Sequence, residues 1–276
     1  MKLHYLGTAA AEGIPALFCQ CDTCRRARQL GGRNIRTRSQ ALVDDRLLLD
    51  FCPDTYAHTL RYGLELGDIH SCFITHIHSD HLIPRELFNR RVSFAYLDNE
   101  DTPLTIYGSA EVGQKLEADA DGKVIPDGRV LFQPVEAFRP LTVEGYEIIP
   151  LKAAHGTEMP LIYAIGKDGK WLLYAHDTDR FDQATWAYLK ESGICFDFVS
   201  LDCTAGKIPI DYFGHMNIPR AKQVRARMLE EGLADANTRF CINHFSHNGQ
   251  LTYDDTVDPT VCDGFEVSYD GMVVEI

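Results

Sequence analysis

The stretch "SCFIT" followed at once by "HIHSDHL", Ser71–Leu82, is an apolar β-rich run that ends in three histidines and an aspartate. In extended backbone, residues two apart project to the same side, so His76 and His78 point together. Asp80 and His81 follow where the chain must turn toward a helix beginning near Pro84. Four ligand-type side chains within six residues can serve two neighbouring ions, one pair facing each. Two divalent ions roughly 3.5–4 Å apart can activate water near neutral pH and clamp a displaced oxygen. This density of ligand types is far above what a polar strand end needs.

Outward from that stretch, short β-like runs alternate with helical segments. The strands expected are "KLHYLG", "QALVDDRLLLDF", "SCFITH", "LTIYG", "YEIIPLKAAH", "LIYAIG", "WLLYAHD", "DFVSLDCT", "RFCINHF" and "FEVSYDGMVVEI". "LIYAIGKDGKWLLYAHD" carries an Asp-Gly turn between two β-rich runs, a strong hairpin signal. Helices are expected at Thr55–Gly63, Pro84–Phe94, Asp182–Ser192 and Ile218–Glu231; Asn217 caps the last, and a proline follows in its first turn. Strand-rich halves with interspersed helices suit a sandwich of sheets covered by helices.

No linker, repeat or low-complexity tract divides the 276 residues, so one domain over 1–276 is expected. Hydrophobic content of 45% and charged content of 24% are ordinary for a soluble globular chain. Nothing approaches the ~18 apolar residues of a membrane span. The start "MKLHYLGTAA" reads as a strand and lacks the apolar run of a signal peptide, which points to the cytoplasm. A net charge of −13 repels nucleic acid and anionic membranes.

"CQCDTC" places Cys19, Cys21 and Cys24 within six residues. Three thiolates make an incomplete zinc site, since structural zinc takes four ligands. Cys52, Cys72, Cys195, Cys203, Cys241 and Cys262 stand alone, mostly in apolar runs, and are expected to be buried thiols.

His-x-His-x-Asp-His at a strand end resembles the signature of the metallo-β-lactamase superfamily. The resemblance implies a four-layer α/β architecture, the αβ/βα sandwich, with two metal ions at one edge of its sheets. It further implies that His155 in "KAAHG" joins His76 and His78 at one ion. His244 in "INHFSH" joins Asp80 and His81 at the other, and Asp177 in "YAHDTD" bridges the two. His176 and Asp179 lie close enough to leave a local choice; Asp177 is favoured because "LLYAHD" puts it at the strand terminus. Asp50 ends the apolar run "RLLLD", an expensive place for an unpartnered carboxylate. The family's equivalent supports a ligand histidine without binding metal.

Over most of its length the chain also resembles PhnP-type phosphodiesterases, which pair a Cys-x-Cys-x-x-Cys with a histidine just after the last catalytic one. That implies a structural zinc on Cys19, Cys21, Cys24 and His247. The preceding "GTAAAEGIPALFC" is similar to the family's Gly-Thr loop, but its small-residue run departs to "AAAE", so contacts of that loop with substrate are not carried over. His215 in "DYFGHMNIPRA", just ahead of a helix, corresponds to a histidine beside the scissile group. It would protonate the leaving oxygen or stabilise charge on phosphorus. His215 and the ligand Asp80 are thus the residues assigned to the chemistry; His4, His58 and His70 fit no ligand pattern.

The function implied is hydrolysis of a small phosphodiester, linear or cyclic, with two zinc or manganese ions at the active site and one structural zinc. The partner expected is a small molecule, with no nucleic acid and no membrane; a homodimer is left open. Two alternatives stand: a metal-binding accessory protein resembling the B protein of pyrroloquinoline quinone biosynthesis, and a tRNA 3′-end-type nuclease.

Overall fold

In the computed structural model, which describes residues 1–98, 102–119 and 128–276, fourteen strands form two seven-stranded sheets. The first runs β14 (Val273–Glu275), β1 (Lys2–Gly7), β2 (Gln40–Val43), β3 (Leu47–Leu49), β4 (Ser71–Phe73), β5 (Leu104–Gly108), β6 (Val130–Pro134). The second runs β13 (Glu266–Val267), β12 (Arg239–Asn243), β11 (Phe198–Asp202), β10 (Lys170–Ala175), β9 (Leu161–Lys167), β8 (Tyr146–Lys152), β7 (Leu141–Val143). Strands β3 to β6 pair in parallel, as do β10 to β13, and the outer hairpins are antiparallel.

Alternation along each strand builds three apolar layers. Leu47 and Leu49 face inward with Tyr5, Phe73, Tyr163, Tyr174 and Phe198 between the sheets, while Leu48 faces outward onto Leu82, Leu87 and Val112. A strand buried on both faces reads as an unbroken apolar run, which is why "RLLLD" looks as it does. On the far side, Leu173, Val199 and Ile242 pack beneath Trp186 and Leu189 of helix Gln183–Ser192, and beneath Ala221, Val224 and Met228 of helix Ile218–Glu230. The layers are therefore helix, sheet, sheet, helix: the metallo-β-lactamase type of sandwich.

The Asp168-Gly169 turn joins β9 to β10 with positive φ at both residues, as a two-residue hairpin requires. Several expected elements differ. "QALVDDRLLLDF" is a hairpin, because Asp44 and Asp45 take positive φ and reverse the chain. "FEVSYDGMVVEI" divides into β13 and β14, which belong to different sheets, across a turn at Gly271. The helix expected over Pro84–Phe94 is only Pro84–Leu87, continued as one 3-10 turn to Arg90. Helix Asp22–Leu30 was not anticipated within the cysteine segment, nor was helix Ala110–Ala118. Cys195 is exposed, contrary to expectation, while Cys52, Cys72, Cys203, Cys241 and Cys262 are buried. Among the described residues no helix is long and apolar enough to cross a membrane.

Candidate metal centre

The carboxyl ends of the parallel strands converge on one edge of the sandwich, where open α/β sheets commonly bind ligands. Asp50 follows β3, the segment His76–His81 follows β4, Asp177 follows β10, Asp202 ends β11 and His244 follows β12. Asp50, Asp177 and His244 all have positive φ, at 67°, 49° and 62°. Left-handed backbone at non-glycine residues is uncommon and costs energy, and here it turns each side chain off its strand end into the shared edge. The two sheets are fastened together there by Leu161 N–H to Thr75 O at 2.8 Å and Tyr163 O–H to Ile74 O at 2.7 Å.

His76 Nε2, His78 Nδ1 and His155 Nε2 converge, with His78 Nδ1 2.9 Å from the first and 3.1 Å from the last. Nitrogens sharing a tetrahedral ion at 2.0–2.1 Å would lie roughly 3.3 Å apart. Asp80, His81, Asp177 and His244 form a second cluster, all buried. Asp177 reaches both groups: Oδ2 is 2.5 Å from His81 Nε2, 3.2 Å from His244 Nε2 and 3.6 Å from His76 Nε2. Its Oδ1 is 3.9 Å from His155 Nε2. The Nε2 atoms of His81 and His244 are buried with no hydrogen-bond partner, so their short approaches to Asp177 lack hydrogen-bond alignment. Orphaned ligand atoms that converge without bonding one another fit metal ions held between them.

The outer contacts fix the rings. Asp50 Oδ2 lies 2.7 Å from His81 Nδ1, while its Oδ1 accepts from Thr75 N–H and Oγ1–H. Gly214 O is 2.9 Å from His155 Nδ1, and Thr204 Oγ1 is 2.9 Å from His244 Nδ1. Each leaves the other ring nitrogen for an ion. Of the neighbours that left a choice open, His176 is engaged in the core by Ser200 and Asn243, and Asp179 pairs with Arg220 at 2.7 Å.

His215 stands beside these clusters with Nδ1 3.2 Å from both Asp202 Oδ2 and Asp177 Oδ1, and 3.1 Å from Thr204 Oγ1. Its Nε2 makes no hydrogen bond among the described residues, and the ring lines a cavity of about 260 Å³. Asp202 was not anticipated. It accepts from the backbone N–H of Asp177, Thr204 and Met216 and from Thr204 Oγ1–H, besides holding His215. The signal that singled out Asp50, a carboxylate ending an apolar strand, was present in "FVSLD" as well. Arg220, also unforeseen, donates to the carbonyls of Ile210, Tyr212 and His215, tying the His215 loop to Asp179.

Burial lowers His76 and His155 below the usual histidine range. Burial also works against charge on His81, but Asp50, Asp80 and Asp177 outweigh it and hold its pKa well above normal. For His215 burial is again overcome, by Asp202 first and then Asp177 and Asp80, raising it to about 9. Burial would raise Asp177, yet His244 and His81 hold it well below the carboxylate range.

A second cluster lies behind this one. The Sγ atoms of Cys19 and Cys21 are 3.6 and 3.5 Å from His247 Nδ1, and Cys24 completes the group. A tetrahedral zinc with Zn–S of 2.3 Å and Zn–N of 2.0–2.1 Å sets sulfur and nitrogen about 3.6 Å apart. The donor set and its spacing fit that ion. Gly206 lets the turn at His247–Gly249 approach: a Cβ there would lie 2.6 Å from Gly249 O.

Comparison with known proteins agrees with this architecture. A family model described as "Beta-lactamase superfamily domain" matches residues 45–233. Among curated proteins, coenzyme PQQ synthesis protein B of Methylobacterium radiotolerans is 26% identical over 167 residues, 55% of this chain and 52% of that protein. Ribonuclease Z of Listeria innocua is 31% identical over 122 residues, 42% of this chain and 33% of its own length. The match thus spans about half the first relative and a third of the second. Among solved structures, a diphosphatase from the PhnP family has a TM-score of 0.77 at 21% identity, covering 100% of this chain and 97% of that one. Zinc-bound PqqB from Methylobacterium extorquens has a TM-score of 0.77 at 19% identity and covers 100% of both chains. At these identities the likeness establishes the fold.

Proposed function

Because the chain belongs to the beta-lactamase superfamily, we propose that it is a metal-dependent phosphodiesterase with a dinuclear centre, acting on a small phosphate ester. One observation carries the reading: Asp177 reaches both ligand clusters, and the buried Nε2 atoms of His81 and His244 that face it make no hydrogen bond. His76, His78 and His155 would hold one ion, Asp80, His81 and His244 the other, with Asp177 shared between them. Cys19, Cys21, Cys24 and His247 would hold a structural zinc. When bound, the two ions, zinc or manganese, would activate water and neutralise the phosphate oxygens.

The chain's own groups supply the rest. Water attacks phosphorus in line with the departing alcohol, forming one P–O bond as the ester P–O bond breaks. Asp80 orients the water and takes its proton. His215, with Nδ1 engaged by Asp202, gives the proton on Nε2 to the leaving oxygen. Asp202 first, then Asp177 and Asp80, favour the protonated form of His215 against burial, so the ring holds the proton that an acid must give.

Two other readings have support. The PqqB likeness favours a metal-binding accessory role, and the ribonuclease Z match favours an RNA substrate. Against the second, no lysine or arginine lines the cavity among the described residues, and the chain carries −13. Ion content and bis(4-nitrophenyl) phosphate hydrolysis, measured together on protein loaded with zinc or manganese, separate the hydrolase from the accessory role, and cleavage of a tRNA 3′ trailer by the same samples would favour the nuclease. Turnover with two ions beyond the thiolate site supports the phosphodiesterase; bound ions without turnover refute it.

A further inference from the structure

The cavity at the metal centre has one wall that the ligand set leaves unexplained. Beside the ligands and His215 it is lined by Ala10, Ala11, Glu12, Tyr212, Ser246 and Asn248. Glu12 belongs to the "AAAE" run that departs from the pattern of the resembled phosphodiesterases. Its Oε1 accepts from Ser246 Oγ–H at 2.6 Å and Asn248 Nδ2–H at 3.3 Å, and lies 3.5 Å from His247 Nε2. All three contacts fall on one oxygen. Oε2 has no hydrogen bond or ion pair among the described residues.

The anchoring is built from both sides. His247 presents Nδ1 to the cysteines and Nε2 to Glu12, so the same imidazole that completes the thiolate cluster steadies this carboxylate. Ala10 and Ala11 are too small to fill the space beside it, and no lysine or arginine lines the cavity there among the described residues. A substrate seated with its phosphate at the ions would extend its ester arm past a fixed, half-buried negative charge.

We infer that Glu12 sets the substrate class: a singly charged phosphodiester whose alcohol arm carries hydrogen-bond donors, a hydroxyl or an ammonium, received by Glu12 Oε2. This rests on the phosphodiesterase reading above. The same carboxylate excludes an arm that bears a second anion, because a like charge within roughly 7 Å in a partly desolvated site is strongly disfavoured. The inference also gives the thiolate cluster a use in recognition, since it holds the residue that anchors Glu12.

The test uses ion-loaded enzyme and three 4-nitrophenyl phosphodiesters, with 2-aminoethyl, 2-hydroxyethyl and 2-carboxyethyl as the second ester. The leaving group is common to all three, so differences in kcat/KM report the arm. Wild type should favour the amine and hydroxyl arms over the carboxylate by roughly 10- to 100-fold. Glu12→Gln should bring the amine-to-carboxylate ratio to within about threefold of unity, and Glu12→Lys should invert it. The ratio is taken within one enzyme, so a general loss of activity or metal in either variant cancels. An amine-to-carboxylate ratio near one in wild type, or one that both variants leave unchanged, overturns the role of Glu12 while the phosphodiesterase reading stands. Failure of loaded wild type to hydrolyse any of the three, or bis(4-nitrophenyl) phosphate, overturns both.

Discussion

Replacing Asp202 with asparagine probes the proposed chemistry through a residue outside the seven ligands assigned to the two ions. The carboxylate receives three backbone N–H groups and the Thr204 hydroxyl, and it engages His215 Nδ1. An amide keeps one acceptor oxygen and must turn its NH2 toward donors, whichever way it is flipped. Hydrogen bonds to a charged group contribute about 1.5–3 kcal/mol each, and opposed donors lose most of that. Asp202→Asn should therefore lose about 2–4 kcal/mol of stability, a fall in Tm of about 5–10 °C for a chain of this size. The kinetic effect is separate. Asp202 is the foremost group raising the His215 pKa against the effect of burial. An acid must hold its proton, so activity falls as pH rises through that pKa, and lowering the pKa moves the falling limb to lower pH. With tautomer and orientation also released, kcat should drop by about 10²–10³ while ion content stays near that of wild type. The assay is kcat against pH on an alkyl phosphodiester, with melting and elemental analysis on the same samples. A folded, fully loaded Asn variant with an unshifted basic limb and wild-type kcat would refute the role given to Asp202 and His215.

Other outcomes follow from the same geometry. His215→Ala should leave ion content and Tm near wild type yet lower kcat by about 10²–10⁴ on alkyl esters, and by less on nitrophenyl esters, whose leaving groups need little protonation. Equal loss on both would assign charge stabilisation or positioning in place of proton donation. Asp177→Ala should empty both catalytic positions together; loss of a single ion with activity retained would remove it from the bridge. Cys21→Ser should lower thermal stability more than turnover per folded molecule, because structural zinc contributes folding free energy. Unchanged melts would exclude a structural ion there. His58 is buried between Thr37 Oγ1 and Gln40 Oε1, and burial lowers its pKa from 6.5 to about 4. The unfolded chain therefore binds the proton first, and stability falls as pH drops from 6.5 toward 4, by about 2 kcal/mol at pH 5. Chemical denaturation of His58→Gln should show a correspondingly flatter slope between pH 7 and 5, and an identical slope would show that His58 does not titrate there.

What could be read from residues alone was whatever clusters in sequence. His76, His78, Asp80 and His81 declare themselves by spacing, and Cys19, Cys21 and Cys24 likewise. Asp50 shows because a carboxylate ending an apolar strand demands a partner. Asp202 ends a strand as well, yet apart from Thr204 its partners Asp177, His215 and Met216 lie in other segments, and nothing in "FVSLD" names them. Glu12 and Arg220 look like ordinary surface charges; only folding brings one to Ser246 and His247 and the other to three carbonyls of the His215 loop. The strand boundaries erred where aspartates took left-handed backbone within apolar runs, at Asp44 and Asp45. Helix Asp22–Leu30 was obscured because Cys21, an unusual N-cap, accepts from Cys24 N–H.

The central claim is that two ions, held by seven side chains that include the shared Asp177, turn over a phosphodiester. Its most direct test is a titration of chelator-treated protein, its residual metal content measured first, with manganese or zinc while bis(4-nitrophenyl) phosphate hydrolysis is followed. The account predicts that the rate rises and saturates at two added ions per chain, and that Asp177→Ala abolishes the rise. Saturation of binding at two ions with no hydrolysis, or full activity at one, would contradict it.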